Sequence, residues 1–321
     1  MAQRIQTSGR RLLQQGKWPL LLLLLALLAV LPLFVSSLVL HILILFFMYV
    51  TLAESWNLIA GYTGKINFGH VTFLGIGAYT SLILMKDFGL SPFYTCLLGG
   101  LFAAITAVVI GYPLLRLRGP YFAISMLSLS FIFTALAFNL SSLTEGGRGI
   151  SVRPFASKVP FYYFMLVSAI IAVGGIYKIS RSKFGLGLIS IREDEEVADS
   201  LGVNTTLYKI LAFAGSAFLP GVVGGIYAYY MSYMDPKSAF SFSFTLNSIV
   251  MCLLGGSGTV LGPIIGAVIL RSMSEFVSYL IPGEFYKLLV AGLFIGLILY
   301  LPGGIMSLFT KEEGSDVFAK R

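Results

Sequence analysis

Long runs of apolar residues, separated by short polar stretches, extend along the whole chain. About 20 consecutive apolar residues let an α-helix cross a bilayer, whereas a transmembrane β-barrel shows shorter runs of alternating hydrophobicity. The runs predict about ten transmembrane helices, over residues 18–35, 38–59, 68–85, 92–115, 121–140, 161–179, 210–234, 244–254, 260–280 and 285–301. The eighth run is short and the third is rich in glycine, so both are predicted to be broken or partly re-entrant helices.

The composition indicates a membrane protein and excludes a soluble globular one. Apolar residues make up 57% of the 321 positions and charged residues 11%, whereas a soluble domain averages about 25% charged residues. The longest polar stretches, 141–160 and 180–209, are too short to hold a folded catalytic domain. The prediction is an all-α, polytopic helical membrane protein with one transmembrane domain over residues 1–321.

The distribution of positive charge predicts the side of the membrane on which each terminus lies. Threading ten spans from an inner N-terminus places most of the 22 Lys and Arg residues on the inner side. The outer loops then carry only Lys86, Arg148, Arg153, Lys158 and Lys237. Because cytoplasmic loops carry an excess of Lys and Arg, both termini are predicted to be cytoplasmic. The net charge of +8 is therefore interpreted as a topology signal and not as a nucleic-acid-binding signal.

The inner stretch 180–209 combines a dense group of acidic residues with an amphipathic pattern. Inward-facing positions recur every three or four residues from Leu188 to Leu201, which predicts one amphipathic helix. Three local interactions are predicted here: a left-handed cap at Gly202, a pairing of Arg192 with Glu195 or Glu196, and a cap of the next helix by Asn204 or Thr205.

Two interpretations of this stretch stay open. A run of charges is commonly a solvated connector between two helices. Alternatively, the stretch is a coupling helix that docks in a groove of a cytoplasmic motor. The residues assigned to that docking role are Arg192, Glu193, Asp194, Glu195, Glu196, Ala198 and Gly202.

A second stretch, residues 55–80, is rich in glycine and carries polar groups at the membrane edge. Such glycines permit either close helix packing or unwound backbone that faces a cavity. Polar side chains inside a membrane are costly unless they are matched. This stretch is therefore the predicted translocation path or inner gate, with the candidate residues Asn57, Gly64, Asn67, Gly69, His70, Gly75 and Gly77.

Three charged side chains lie five or more residues from either end of a predicted span, and charges at such depth usually mark a pathway or an ion pair. Arg271 and Glu275 are one helical turn apart and are predicted to form a structural pair. Glu54 has no local partner, so it either extends to the inner surface or lines a cavity.

The sequence carries little of the chemistry that an enzyme or a metal site needs. Residues 61–65 lack the spacing and the hydroxyl of a phosphate-binding loop, and no hydrolase or metalloprotease motif is present. The two histidines, His41 and His70, are predicted to form structural hydrogen bonds. The prediction is a chain that is not an enzyme and holds no metal and no cofactor.

Three segments, in order along the chain, resemble motifs of one transporter family. They are residues 55–80 (SWNLIAGYTGKINFGHVTFLGIGAYT), 184–203 (FGLGLISIREDEEVADSLGV) and 254–267 (LGGSGTVLGPIIGA). All three are similar to the permease subunits of branched-chain amino-acid ABC transporters, in particular to the LivM-like subunit. Residues 196–202 also resemble the start of the wider importer signature E-A-A-x-x-x-G, from which Val197 departs, and residues 144–150 are similar to a weaker family pattern, from which Glu145 departs.

The resemblance implies a permease subunit of an ATP-binding-cassette importer for branched-chain or similar small amino acids. Residues 180–209 would be its cytoplasmic coupling loop, and the bacterial cytoplasmic membrane its location. The expected partners are two ATP-binding subunits, a LivH-like second permease chain or a second copy, a periplasmic or lipid-anchored substrate-binding protein, the small-molecule substrate and membrane lipid. ATP is expected to bind to the partner subunits alone.

Other functions stay open at this level. Similar permeases carry urea or short amides, and the chain does not separate these substrates from amino acids. An ion-coupled carrier or a channel also fits the composition, although only Glu54 and Glu275 qualify as intramembrane ion sites. A purely structural membrane subunit would leave the stretch 180–209 unexplained.

Overall fold

The computed structural model describes residues 17–117, 119–280, 292, 296 and 304–307. The predicted tenth segment, 285–301, lies outside these residues except at positions 292 and 296. The helices are α1 (Lys17–Val30), α2 (Ser37–Thr63), α3 (Val71–Phe88), α4 (Pro92–Leu114), α5 (Pro120–Asn139), α6 (Ser141–Thr144), α7 (Val159–Ser180), α8 (Lys183–Glu193), α9 (Glu195–Ser200), α10 (Thr205–Met231), α11 (Pro236–Ala239), α12 (Phe242–Gly255) and α13 (Gly262–Leu280). Two short strands, β1 (Ile150–Ser151) and β2 (Tyr233–Met234), pair antiparallel.

Seven helical stretches in the described part of the chain are long and apolar enough to cross a membrane. They are α2, α3, α4, α5, α7, α10 and the stretch Pro236–Gly255, which comprises α11 and α12. Two further predicted segments are helical, α1 over 14 residues and α13 over 19. The prediction of an all-α, polytopic membrane protein is confirmed, and the number of ten spans stays a prediction.

The third and eighth predicted segments, for which breaks were predicted, are continuous in the structure. α3 is one continuous helix that contains Gly75 and Gly77, so the break predicted there is wrong. Tertiary contacts of these glycines outweigh their weak helix propensity. The predicted eighth segment, 244–254, is also continuous, within α12, and the interruption between Ala239 and Phe242 lies just before it. That this segment is re-entrant stays a prediction.

Helix α10 lies at the centre of the bundle, packed against α2, α3, α4 and α7. Glycines let its backbone approach its neighbours closely. A Cβ on Gly77 of α3 would overlap the backbone of Gly221 in α10, and a Cβ on Gly221 would lie 2.6 Å from the Cβ of Ala103 in α4. Helices α3, α4 and α10 therefore form one tightly packed unit.

The two ends of the bundle carry different structures. We call the end with α8 and α9 the loop end, and the end with β1 and β2 the strand end. Helix α10 connects them, since it begins just after α9 and ends just before β2. At the strand end, Glu145 has a left-handed conformation with φ of 59° and forms an ion pair with Lys86 of α3. This contact gives a structural role to a residue that departs from the family pattern.

Candidate coupling loop and polar motif

The inner stretch folds as two short helices and not as the single helix predicted. Helix α8 ends at Glu193 and α9 begins at Glu195. Between them, the Asp194 carboxylate accepts hydrogen bonds from the backbone N–H groups of Glu196 (2.9 Å) and Val197 (3.0 Å). Aspartate is a favoured N-cap because it satisfies such donors. Asp194 therefore begins a new helix where the periodicity predicted a continuous one.

Arg192 links this loop to the end of α2. Its Nη1 donates to the backbone carbonyl of Gly61 (2.9 Å), and its Nη2 donates to the carboxylate of Glu193 (2.8 Å). The predicted partner was Glu195 or Glu196, one turn further along a single helix. The partner is Glu193 because the chain changes direction immediately after it.

Two glycines leave room for the Arg192 side chain. A Cβ on Gly64 would lie 3.0 Å from Cγ of Arg192, and a Cβ on Gly258 would lie 2.9 Å from its Nη1. Both glycines have positive φ angles, +71° and +78°, a conformation that glycine adopts without a steric penalty. Arg192 thus lies where all three family-like segments meet.

Glu195 anchors the loop to the bundle. Its carboxylate forms ion pairs with Lys65 (3.5 Å) and with Lys209 near the start of α10. The two ammonium groups also donate to the carbonyls of Leu117 and Leu115, each at 3.3 Å. Burial alone would raise the pKa of the Glu195 carboxyl, but the two lysines outweigh burial and lower this pKa. The sequence analysis missed both lysines, and its one signal was that Lys209 directly precedes the apolar run 210–234.

Gly202 ends α9 as the sequence predicts. Its φ angle is +86°, and its N–H donates to the carbonyl of Asp199 (2.9 Å). The N–H of Val203 donates to the carbonyl of Ala198 (3.1 Å). These two bonds form a Schellman motif, in which a left-handed glycine closes a helix.

Replacing Gly202 with valine is expected to unravel the end of α9, because a β-branched residue resists a positive φ. Such backbone strain costs about 1–3 kcal/mol. Limited proteolysis of membranes should then cleave the loop faster, and ATP-driven uptake should fall. The control is Gly202→Asn, since asparagine tolerates the left-handed region. Wild-type uptake by the valine variant would show that this cap has no part in coupling.

Helices α8 and α9 bury one face and expose the other. Leu188, Ile191 and Ala198 are buried against the bundle, so Ala198 does not face a partner. Val197 is 54% exposed and Leu201 is 77% exposed. We define the exposed surface as the loop face, which consists of Glu193, Glu196, Val197 and Leu201.

Asn57 is a buried polar centre between α2 and the loop before α13. Its Nδ2 donates to the carbonyl of Thr259 (2.8 Å) and to the carboxylate of Glu54 (3.5 Å). Its Oδ1 accepts from the N–H of Gly258 (2.8 Å) and from the thiol of Cys252 (3.4 Å). The amide of a fully buried asparagine is thereby satisfied at both atoms. Glu54 is also fully buried, so it does not extend to the inner surface.

The predicted path residues Asn67 and His70 are buried in the turn before α3. The Oδ1 of Asn67 accepts from the N–H of Gly69 (2.9 Å). The ring of His70 approaches the backbone of Leu52, although neither ring nitrogen forms a well-aligned hydrogen bond among the described residues. The hydrogen bond predicted for His70 stays a prediction. His41 forms the predicted kind of bond, with the hydroxyl of Tyr230 (2.5 Å).

Gly69, Gly75 and Gly77 are packing positions. A Cβ on each would overlap an atom of a neighbouring element, which favours close packing over unwound backbone. The groups that they contact are the Met126 carbonyl, the Phe240 ring and the Gly221 backbone, respectively. Of the predicted path residues, Gly64 lies beside Arg192 and Asn57 beside the loop before α13, whereas Gly75 and Gly77 lie between helices.

Comparisons with known proteins place these features in one family. The family model described as the permease component of branched-chain amino acid transport systems matches residues 38–299. The high-affinity branched-chain amino acid transport permease LivM of Salmonella typhimurium is 29% identical over 290 residues, which cover 80% of this chain and 67% of the relative. LivM of Escherichia coli is 29% identical over 307 residues, which cover 86% and 71%.

A second kind of permease is also similar. LivH of Salmonella typhimurium is 25% identical over 282 residues, which cover 80% of this chain and 91% of the relative. No solved structure matches the chain. Since the family match extends from the start of α2 to beyond α13 and includes the loop between α7 and α10, the chain belongs to the permease components of branched-chain amino acid transport systems.

Proposed function

We propose that this chain is one of two permease subunits of an ATP-binding-cassette importer, and that it forms part of the path for branched-chain or similar small amino acids. The observation that carries the proposal is the position of Arg192, which contacts both the end of α2 and the loop before α13. A displacement of α8 and α9 is transmitted through these contacts to two membrane helices. A solvated connector would not need such contacts.

The loop face is the proposed docking surface for an ATP-binding subunit. Its apolar pair, Val197 and Leu201, is exposed and flanked by the carboxylates of Glu193 and Glu196. Exposed apolar side chains with a polar rim are typical of interaction sites. Two ATP-binding subunits, one for each permease, hydrolyse ATP in this proposal, and the chain itself catalyses no reaction.

The proposed orientation places the loop end in the cytoplasm of a bacterium. Lys65, Lys183, Arg192 and Lys209 all belong to the loop end, and cytoplasmic loops carry an excess of such residues. Both termini are then cytoplasmic, with ten spans. The strand end faces outward, where a periplasmic or lipid-anchored binding protein delivers the substrate.

The second permease chain is proposed to be LivH-like, because LivM and LivH proteins are both relatives of this chain. The names of these relatives specify branched-chain amino acid transport. Leucine, isoleucine and valine are therefore the proposed substrates. Selectivity among them rests mainly with the binding protein, because a path that held its cargo tightly would oppose release.

Replacing Leu201 with aspartate is expected to detach the ATP-binding subunits, because it introduces a charge into an apolar contact that must lose its water on docking. A tagged chain is purified from its native membrane in mild detergent, and the co-purifying subunits are quantified. At least tenfold less ATP-binding subunit is expected for Leu201→Asp, with uptake of radiolabelled leucine reduced in parallel. Leu201→Met keeps an apolar side chain and is the control.

Two results would contradict this proposal. Full retention of the ATP-binding subunits by Leu201→Asp would show that the loop face is not their docking site. A wild-type chain that purifies alone and moves solute in vesicles without ATP would be a carrier or a channel. Uptake of radiolabelled urea in place of leucine would correct the substrate and leave the importer mechanism intact.

A further inference from the structure

A group of polar and aromatic side chains lies among α2, α10, α12 and α13, away from the loop end. We call it the α13 cluster, and its members are Tyr49, Tyr227, Asn247, Arg271 and Glu275. Arg271 donates from Nη2 to Glu275 (2.6 Å), as the sequence predicts, and its guanidinium carbon lies 5.6 Å from the centroid of the Tyr49 ring. The Nδ2 of Asn247 donates to the Tyr49 hydroxyl (3.2 Å).

An aromatic wall completes one side of the α13 cluster. The rings of Tyr49 and Tyr227 both contact Phe244 of α12, with centroid distances of 6.2 and 5.5 Å. Tyr227 remains partly exposed. The cluster thus combines a cation, an anion and aromatic surface within one small region.

The α13 cluster lies deep inside the membrane-spanning part of the chain. Arg271 is nine residues beyond Gly262 at the start of α13, or about 14 Å along the helix at 1.5 Å per residue. Tyr49 is 14 residues before Thr63 at the end of α2, or about 21 Å along that helix. Tyr49 is thus near the middle of α2, which is one of the stretches long and apolar enough to cross a membrane, and Arg271 lies beside it.

The exposed part of the α13 cluster faces something other than lipid. The Arg271 side chain is 18% exposed and the Glu275 side chain 43% exposed. A charge that faces lipid at this depth is costly, so charged side chains in membrane helices almost always face a cavity or the interior of the bundle. The outward surface of α4, by contrast, exposes residues such as Leu101 and Val109, which suit lipid. The cluster therefore faces water, another protein chain or a part of this chain outside the described residues.

We infer that the α13 cluster lines the translocation path and recognises the zwitterionic group of an α-amino acid. This inference rests on the proposed transport function and adds to it a site and a recognised chemical group. The Nε–H of Arg271 is buried and has no hydrogen-bond partner among the described residues. A substrate carboxylate that binds along the Nε and Nη2 edge satisfies this donor in a bidentate pair.

The binding of the substrate carboxylate to Arg271 also gives Glu275 a role. When the substrate carboxylate occupies Nη2 of Arg271, the Glu275 carboxylate is released from that bond and accepts from the substrate ammonium. The aliphatic side chain of the substrate then lies against the aromatic wall of Tyr49 and Tyr227. The α13 cluster thereby recognises the ammonium and carboxylate groups that leucine, isoleucine and valine share, and it does not distinguish their side chains.

An exchange of the two charges separates recognition from a merely structural ion pair. The double variant Arg271→Glu/Glu275→Arg keeps an i,i+4 pair but reverses its direction. The complete complex, with binding protein and ATP-binding subunits, is reconstituted in proteoliposomes, and uptake of radiolabelled leucine is measured. Complex assembly with at least tenfold lower uptake is expected. Wild-type uptake by the exchanged complex would overturn the inference.

A second variant decides the question if the exchanged chain does not assemble. Arg271→Lys keeps the positive charge beside Glu275 but removes the planar fork of donors. The KM for leucine is expected to rise at least fivefold at an unchanged amount of complex, and an unchanged KM would overturn the inference. A wild-type complex that assembles but moves no leucine would contradict the proposed function instead, so the two failures are distinguishable.

Discussion

Alanine at Gly77 is expected to destabilise the packing of α3 against α10 strongly. Its Cβ would overlap the backbone of Gly221 in α10, and a backbone inside a packed helix cannot rotate away as a side chain can. Overpacking of this kind typically costs about 1–3 kcal/mol and occasionally more. In detergent, the apparent melting temperature of the purified chain should fall by roughly 5 °C or more.

Gly174 provides a matched control for this substitution. It lies inside α7, and a Cβ at this position would have no atom within 4 Å. Gly174→Ala should leave the melting temperature unchanged or raise it slightly, because alanine has the higher helix propensity. Equal melting temperatures for the two alanine variants would contradict the close contact between α3 and α10.

Leucine at Asn57 is expected to uncouple α2 from the loop before α13. The substitution keeps most of the side-chain volume but leaves the Gly258 N–H and the Thr259 carbonyl without their partner. Each buried polar group that loses its partner costs about 1–3 kcal/mol. Leucine uptake should fall by more than the lower thermal stability alone explains, since the loop that Asn57 holds also lies against Arg192. Both quantities are measured on the same reconstituted complex.

Asn139 is the matched control for Asn57. It is exposed at the end of α5, and its Nδ2 donates within its own helix, to the carbonyl of Ala135 (2.8 Å). Asn139→Leu should leave uptake and melting temperature close to those of the wild type. If Asn57→Leu behaved in the same way, the polar centre at Asn57 would have no part in transport.

Features that depend on neighbouring residues in the sequence were predicted well. The left-handed cap at Gly202 follows from the end of an apolar pattern, and Asn204 caps α10 by accepting from the N–H of Leu207 (3.0 Å). The Arg271–Glu275 pair follows from the helical repeat. In each of these cases the interacting residues are within one or two helical turns of each other, so periodicity and residue type are sufficient to predict the interaction.

Features that depend on tertiary contacts were missed or misread. Glu195 is bound by Lys65 and Lys209, which are 130 and 14 positions away along the chain. No local rule identifies such partners. The glycines of α3 were equally ambiguous, because only the position of Gly221 distinguishes a packing glycine from an unwound one. The break at Asp194 is a different error, since its capping signal was local and the longer periodicity concealed it.

The two-residue pairing of β1 with β2 has a mechanical consequence. It joins the connection before α7 to the connection after α10, and the N–H of Val152 extends it by donating to the carbonyl of Ser232 (2.9 Å). Helices α7 to α10 are thereby a closed frame that is clamped at one end. Helix α10 is 27 residues long, or about 40 Å. Because α3, α4 and α10 pack as one unit, a displacement of α8 and α9 would tilt this whole unit about the strand end, and the largest displacement would fall at the loop end beside Arg192.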